Sequence, residues 1–395
     1  MQSSPGESLR NGESGTAPPA TTPQSGPALV LSGGGARASY QVGVLLSIAE
    51  RVPDLRFPII TGVSAGAINA TYLAAANQPL GAALRGLATE WGRLTADRVY
   101  RLPTSTVIGS MARWVLRRFQ RRRGDPVIRG LLDPTPLRSF LEGCIDVGRI
   151  ETAISSGRLR ALALSTTAYR TGTTTLFVQG RADLPLWRRI QHAPVPTRIT
   201  LDHVLASSAI PLLFPAVRVD GEFYGDGSIR QAAPLAPAIH LGARRVLAIA
   251  MRTPQPEAIS SRLPFQYPTA AEVMGLLFNT FFSDALEADA ERLNRINRLL
   301  AGLPPTVSAT AGLSHVELLL LQPSRDLGAL ALGQDRMLPH TMRWIVRSMG
   351  GRQEAAAGFL SYLLFDPGYT TQLIELGYED GRREWARIEP FLAQS

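Results

Sequence analysis

The 395-residue chain contains no lysine, a single cysteine and no run of 18 consecutive apolar residues. Each absence closes a route. Without lysine there is no P-loop lysine, no Schiff-base amine and no Ser–Lys catalytic dyad. One cysteine, Cys144, excludes an internal disulfide framework and any all-cysteine metal cluster. The missing apolar run argues against a transmembrane helix. Histidine is scarce as well. His192, His203, His240, His315 and His340 are the only five, and each is more readily a surface or core residue than a catalytic one.

All 41 basic residues are therefore arginines, set against 32 acidic residues for a formal net charge of +9. Codon usage in a GC-rich genome is the plainest origin of such a bias. Arginine nevertheless stays charged at any working pH and favours planar anions such as carboxylate and phosphate. Nucleic acid and phospholipid head groups are the candidate partners, and charge alone does not choose between them. A hydrophobic content of 45% rules out a wholly disordered chain.

Residues 1–27 are Ser, Gly, Thr and Pro with almost no large apolar side chain, so a disordered tail is expected. No apolar segment follows a charged start there, which speaks against a secretion signal and for a cytoplasmic protein. Ala28–Ser32 then reads as a buried strand cut off by Gly33, Gly34 and Gly35, and residues 39–51 carry a helical pattern. A second strand, 59–63, runs into Ser64-Ala65-Gly66 and an alanine-rich helix. Further apolar segments at 160–165, 174–178 and 245–250 alternate with helical stretches. That alternation predicts an α/β fold in layers around a mainly parallel central sheet. A Pro- and Ser-rich linker is expected over 254–268, and a helical C-terminal extension over 269–395.

The strongest local signal is Gly62-Val63-Ser64-Ala65-Gly66, a G-x-S-x-G between strand and helix. A nucleophilic serine must project from a sharp, strained turn, and flanking glycines remove the Cβ atoms that would clash there. The following helix aims its N-terminal amides at the reacting centre. The second signal is Gly33-Gly34-Gly35-Ala36-Arg37-Ala38, whose backbone N–H groups are free to converge on an anion. That anion is either the oxyanion of an acyl intermediate or a pyrophosphate, since Gly33-x-Gly35-x-x-Ala38 fits the dinucleotide fingerprint. The fingerprint also requires an acid ending the next strand. Asp54 precedes strand 59–63, and the required place is taken by the Ser64 turn, so the dinucleotide reading loses. The third signal is Asp226-Gly227-Ser228 in a glycine-bracketed turn after Val217–Val219. Alone it is a turn residue; beside a serine elbow it becomes a candidate general base.

These three motifs, in this order and spacing, resemble the patatin-like phospholipases, as does Ala206–Pro215 ahead of the aspartate. The resemblance covers roughly residues 28–253 and implies a patatin-like three-layer fold. It further implies a Ser64–Asp226 dyad without a catalytic histidine, an oxyanion hole from Gly33, Gly34, Gly35, Ala36 and Arg37, and supporting roles for Gly62, Gly66 and Gly227. The substrate would be a phospholipid or lysophospholipid ester, with no cofactor and no metal. Two positions depart from the family pattern. Ala38 stands where glycine is usual, and Ser228 where glycine or alanine is usual. Arg37 is expected to support the loop more than to meet a lipid phosphate.

Two other readings compete. An α/β-hydrolase shares G-x-S-x-G but needs a histidine after the acid, and His240, His315 and His340 are available by order. Its nucleophile follows several strands, whereas Ser64 follows two. A membrane- or nucleic-acid-binding protein with a relic site is the non-enzymatic reading. Residues 113–123 carry six arginines with Trp114, Val115, Leu116 and Phe119, a composition suited to an anionic lipid interface. No zinc-finger spacing or recognition motif supports nucleic acid. An acyl chain must reach Ser64 through an apolar channel; Leu276–Phe278, Phe281-Phe282 and Leu318–Leu321 of the extension are candidate walls, or simply helix-packing residues.

Overall fold

The computed structural model describes residues 26–101, 130–185, 187, 192–254, 269–280, 285–304, 306, 312–332 and 353–393. The tail up to residue 25, the arginine-rich segment 113–123, most of the expected linker, Phe281-Phe282 and His340 lie outside them.

Nine strands form one sheet: β1 Ala28–Leu31, β2 Ile59–Val63, β3 Ala161–Ala168, β4 Thr173–Gly180, β5 His192–Pro196, β6 Val217–Val219, β7 Glu222–Asp226, β8 Arg245–Ile249 and β9 Glu317–Leu321. The main order is β5-β4-β3-β2-β1-β8-β9, with β7 pairing β3 and β6 pairing β7. From β3 through β2, β1 and β8 to β9 every pairing is parallel. Strand β4 runs antiparallel to β3, and β7 does the same. The fold is thus α/β with a mainly parallel central sheet, as the alternating pattern predicts.

The central strands are short apolar runs because both faces of the sheet are covered. Their period-2 alternation sorts them by size. Leu29, Leu31, Leu162, Leu164, Leu247 and Ile249 fill the larger core on one face. Ala28, Val30, Ala161, Ala163, Val246 and Ala248 form the thinner core opposite. On the first face lie α1 (Ser39–Arg51), α2 (Ala65–Ala75) and α3 (Leu80–Trp91). The second face is covered by Leu235 and Ala238 near the 236–240 helix and by Leu286, Ala290 and Leu293 of the 285–301 helix.

The C-terminal region differs from the expected helical extension in one respect. Residues 317–321 are a strand, in parallel register with β8 from Arg245↔Glu317 to Ile249↔Leu321. Its four leucines carry neither β-branching nor alternation, so the apolar run alone does not separate strand from buried helix. The helix Pro367–Arg383 packs on α1 at backbone contact. A methyl group on Gly43 would lie 1.9 Å from the Ile374 carbonyl oxygen, and one on Gly377 would lie 2.2 Å from that of Tyr40. The buried Tyr40 hydroxyl donates to Asp380 across the same seam (3.1 Å). Residues beyond 253 thus complete the sheet and wall in its first helix.

Candidate functional site

Ser64 joins β2 to α2 with φ 55° and ψ −132°, backbone angles that favour glycine. The turn is tight enough to exclude side chains on both flanks. A methyl on Gly62 would lie 2.6 Å from the Gly66 carbonyl oxygen, and one on Gly66 would lie 2.3 Å from that of Leu31. This is the strand–serine–helix elbow that the pentapeptide predicts. The Ser64 N–H donates to Ser207 Oγ (3.1 Å), and the Ser207 hydroxyl donates onward to the Ser165 carbonyl (2.7 Å). Ser207 lies on the 201–207 helix, within the Ala206–Pro215 stretch, and its role was not readable from sequence.

Register brings Asp226 to Ser64. Along one edge of β3, β2 pairs up to Val63↔Ser165 and then departs into the elbow. Strand β7 takes over the next position with Asp226↔Thr166. Asp226 is therefore the last residue of a strand and not, as expected, part of a glycine-bracketed turn. Three contacts fix its backbone: its N–H donates to Ala209 O (2.9 Å), Thr167 Oγ1 donates to its carbonyl (2.8 Å), and a methyl on Gly227 would lie 2.3 Å from Ser165 O.

The Asp226 side chain is fully buried. Oδ1 accepts the Ser228 N–H (2.9 Å), whereas Oδ2 has no hydrogen-bond partner. Burial pushes the carboxyl up to about 6, and the Ser64 hydroxyl is first among the groups that draw it back. No Ser64–Asp226 contact meets strict hydrogen-bond geometry; catalytic pairs are commonly loose before substrate arrives.

The Gly33–Arg37 loop follows β1 and starts the 35–38 turn of 3₁₀ helix. No acceptor among the described residues takes the N–H of Gly33 or Gly34, although both glycines are buried. Gly35 has φ +55°, and a methyl there would lie 2.1 Å from Tyr362 O. The buried Arg37 is spent on the 353–363 helix. Its Nε donates to Ser361 Oγ (2.8 Å), Nη1 to the Tyr362 hydroxyl (3.1 Å) and Nη2 to Gly358 O (2.9 Å), and the guanidinium lies 4.0 Å over the Tyr362 ring. Arg37 thus anchors the loop. A second buried chain of donors ties the loop to α2 and α3: Trp91 Nε1 to Asn69, Asn69 to Gln41, and Gln41 to Ser32 O, at 2.9 Å each.

Gly35 and Ser64 open onto one apolar cavity, lined among others by Ile68, Leu87, Trp91, Leu141 and Phe214. Its walls come from α2, α3 and the 135–144 helix. The C-terminal region supplies Tyr362, Leu363 and Phe365; of the expected stretches, the described Leu276–Phe278 and Leu318–Leu321 do not line it. Leu318–Leu321 sit in β9, and Leu276 is exposed. Cys144 also lines the cavity, and burial pushes its thiol up to about 12, so it stays protonated. Among the described residues no histidine lines this cavity or hydrogen-bonds Asp226. His203 closes a capping box with Thr200, His240 packs on Trp187, and His315 is exposed. The described residues hold no group of three or more metal-ligating side chains, and no described helix is long and apolar enough to cross a membrane.

A family model described as patatin-like phospholipase matches residues 29–239. No sequence among curated proteins matches the chain. Among solved structures, that of VipD from Legionella pneumophila aligns over 89% of this chain and 67% of its own, at 13% identity and a TM-score of 0.32. That overlay is too loose to carry an inference.

The Ser64 backbone supplies a direct test of the elbow. Glycine adopts these angles without strain, whereas alanine retains it. Ser64→Gly is expected to be more stable than Ser64→Ala by about 1 kcal/mol in urea unfolding, although glycine usually destabilises. Equal or lower stability for Ser64→Gly would show that the turn is relaxed.

Proposed function

Because the chain belongs to the patatin-like phospholipase family, we propose that it is a serine lipid acyl hydrolase working through Ser64 and Asp226 alone. The observation that supports this most is the unpartnered Oδ2 of a buried aspartate beside a strained serine at the head of an apolar cavity. Ser64 Oγ attacks the ester carbonyl of a phospholipid or lysophospholipid while Oδ2 takes its proton. The amides of the Gly33–Arg37 loop, with the N-terminus of α2, stabilise the oxyanion. Collapse expels the alcohol, which recovers the proton from Asp226. Water then adds to the acyl carbon, its proton passing to Oδ2, and the C–Oγ bond breaks to release the fatty acid as that proton returns to Ser64 Oγ.

Asp226 acts as a base only when ionised, so activity falls as pH drops through about 6. A fluorophosphonate probe is expected to label the wild type and not Ser64→Ala, and to label Asp226→Asn at least about a hundredfold more slowly. An unlabelled wild type, or undiminished labelling of Asp226→Asn, removes the dyad.

The acyl chain occupies the cavity between α2, α3 and the 135–144 helix. Ile68 is half-buried on its wall, so a larger side chain there narrows the cavity without refilling the core. Ile68→Trp is expected to lower kcat/KM for long-chain esters about tenfold while sparing butyrate esters. Equal losses for both would place the chain elsewhere.

The arginine excess draws the enzyme to anionic membrane surfaces, with 113–123 as the contact. Neutralising those arginines is expected to abolish co-sedimentation with anionic vesicles; unchanged binding excludes the segment.

A further inference from the structure

Among the described residues Asp226 is buried without a counter-charge. Three neutral donors favour its ionised form: the Ser64 hydroxyl, then the Ser228 N–H, then the Ser228 hydroxyl. No charged side chain acts on it. From the elements packed around it come Thr166 and Thr167 of β3, Ser64 at the head of α2, and Tyr169 after β3. The Tyr169 phenol is the one titratable group among these, raised first by burial and then by the Asp226 charge. Ser228 is itself buried; its hydroxyl is near enough to favour the Asp226 charge, yet neither its Oγ nor Asp226 Oδ2 makes a hydrogen bond of proper geometry. An orphaned donor thus sits two residues from an orphaned acceptor.

We propose that Ser228 is a positioning residue for the second half of the reaction, its hydroxyl holding Asp226 ionised once Ser64 is acylated. The proposal rests on the Ser64–Asp226 reading. In the free enzyme Ser64 is a donor to the carboxylate. In the acyl-enzyme its oxygen is bonded to the acyl carbon and carries no proton, so that donor is lost. Asp226 must still be a carboxylate, because it now takes a proton from the attacking water. The Ser228 N–H already serves Oδ1, which leaves the Ser228 hydroxyl as the side-chain donor for Oδ2. After the transfer the same hydroxyl accepts from the protonated acid, and the proton returns to Ser64 Oγ as the acyl–oxygen bond breaks. A variant without it is impaired in deacylation more than in acylation.

The test compares the two half-reactions in wild type, Ser228→Ala, Ser228→Gly and Ser228→Thr. Fluorophosphonate labelling reports attack by Ser64; hydrolysis of the acyl-enzyme formed with a p-nitrophenyl ester reports deacylation. Both are followed from about pH 4 to pH 8. In Ser228→Ala and Ser228→Gly the acid midpoint of hydrolysis is expected to rise by about one pH unit, the effect of one hydrogen bond to a charged group. The midpoint of labelling moves less than half as far, and Ser228→Thr, which keeps the hydroxyl, matches wild type. Midpoints that both stay put, or that move equally, overturn the proposal. A wild type that takes no label fails earlier and separately, by removing the nucleophile.

Discussion

The proposed chemistry depends on how one edge of β3 is shared. Strand β2 occupies it as far as Ser165 and then turns away; β7 enters antiparallel at Thr166. The serine leaving one strand and the aspartate ending the other meet because a ladder has consecutive places. Neither residue needs a long or adaptable side chain to find the other. A slip of one residue in β7 would turn the carboxyl to the opposite face of the sheet. The Ser165 carbonyl enforces the register by crowding Gly227 and receiving the Ser207 hydroxyl.

Around that junction the protein spends its buried polar groups on position. Arg37, the most conspicuous charge in the glycine loop, is engaged with Ser361, Tyr362 and Gly358. Ser207 holds the elbow amide, and the Trp91–Asn69–Gln41 chain holds the end of β1. Asp226 and Ser228 are each left with an unpartnered oxygen, and burial pushes the Asp226 carboxyl up to about 6. A base that trades protons with a serine needs that combination: fixed in place, weakly solvated and free on one side.

Much of this was legible in the sequence. The elbow and the glycine loop announce themselves because their steric demands fall on adjacent residues: Gly62 and Gly66 are required by contacts within one turn of chain and the strand beside it. The parallel sheet is legible for the same reason, since apolar runs alternate with helices locally. What was hidden lies far apart in sequence. Arg37 and Ser361 are 324 residues apart, and Ser64 and Ser207 are 143 apart. Strand β9 was hidden for a different reason. A run of leucines suits a strand or a helix equally, and only β8 beside it decides. The apolar cavity is lined, among the described residues, mostly by helices that the sequence marks only as core.

The sheet order has a bearing on biogenesis. Strand β1 is central, with β2 on one side and β8 on the other, and Ala28 pairs with Val246. Strand β8, which covers the second edge of β1, is made more than two hundred residues after β1, and β9 later still. For that interval the nascent chain presents an unpaired edge of four fully apolar residues, together with a helix whose Gly43 groove awaits a partner near the C-terminus. An open sheet edge of this kind is prone to association until it is covered. Since the glycine loop is anchored through Arg37 to residues 358–362, it takes its final form only after a segment more than three hundred residues downstream has been made.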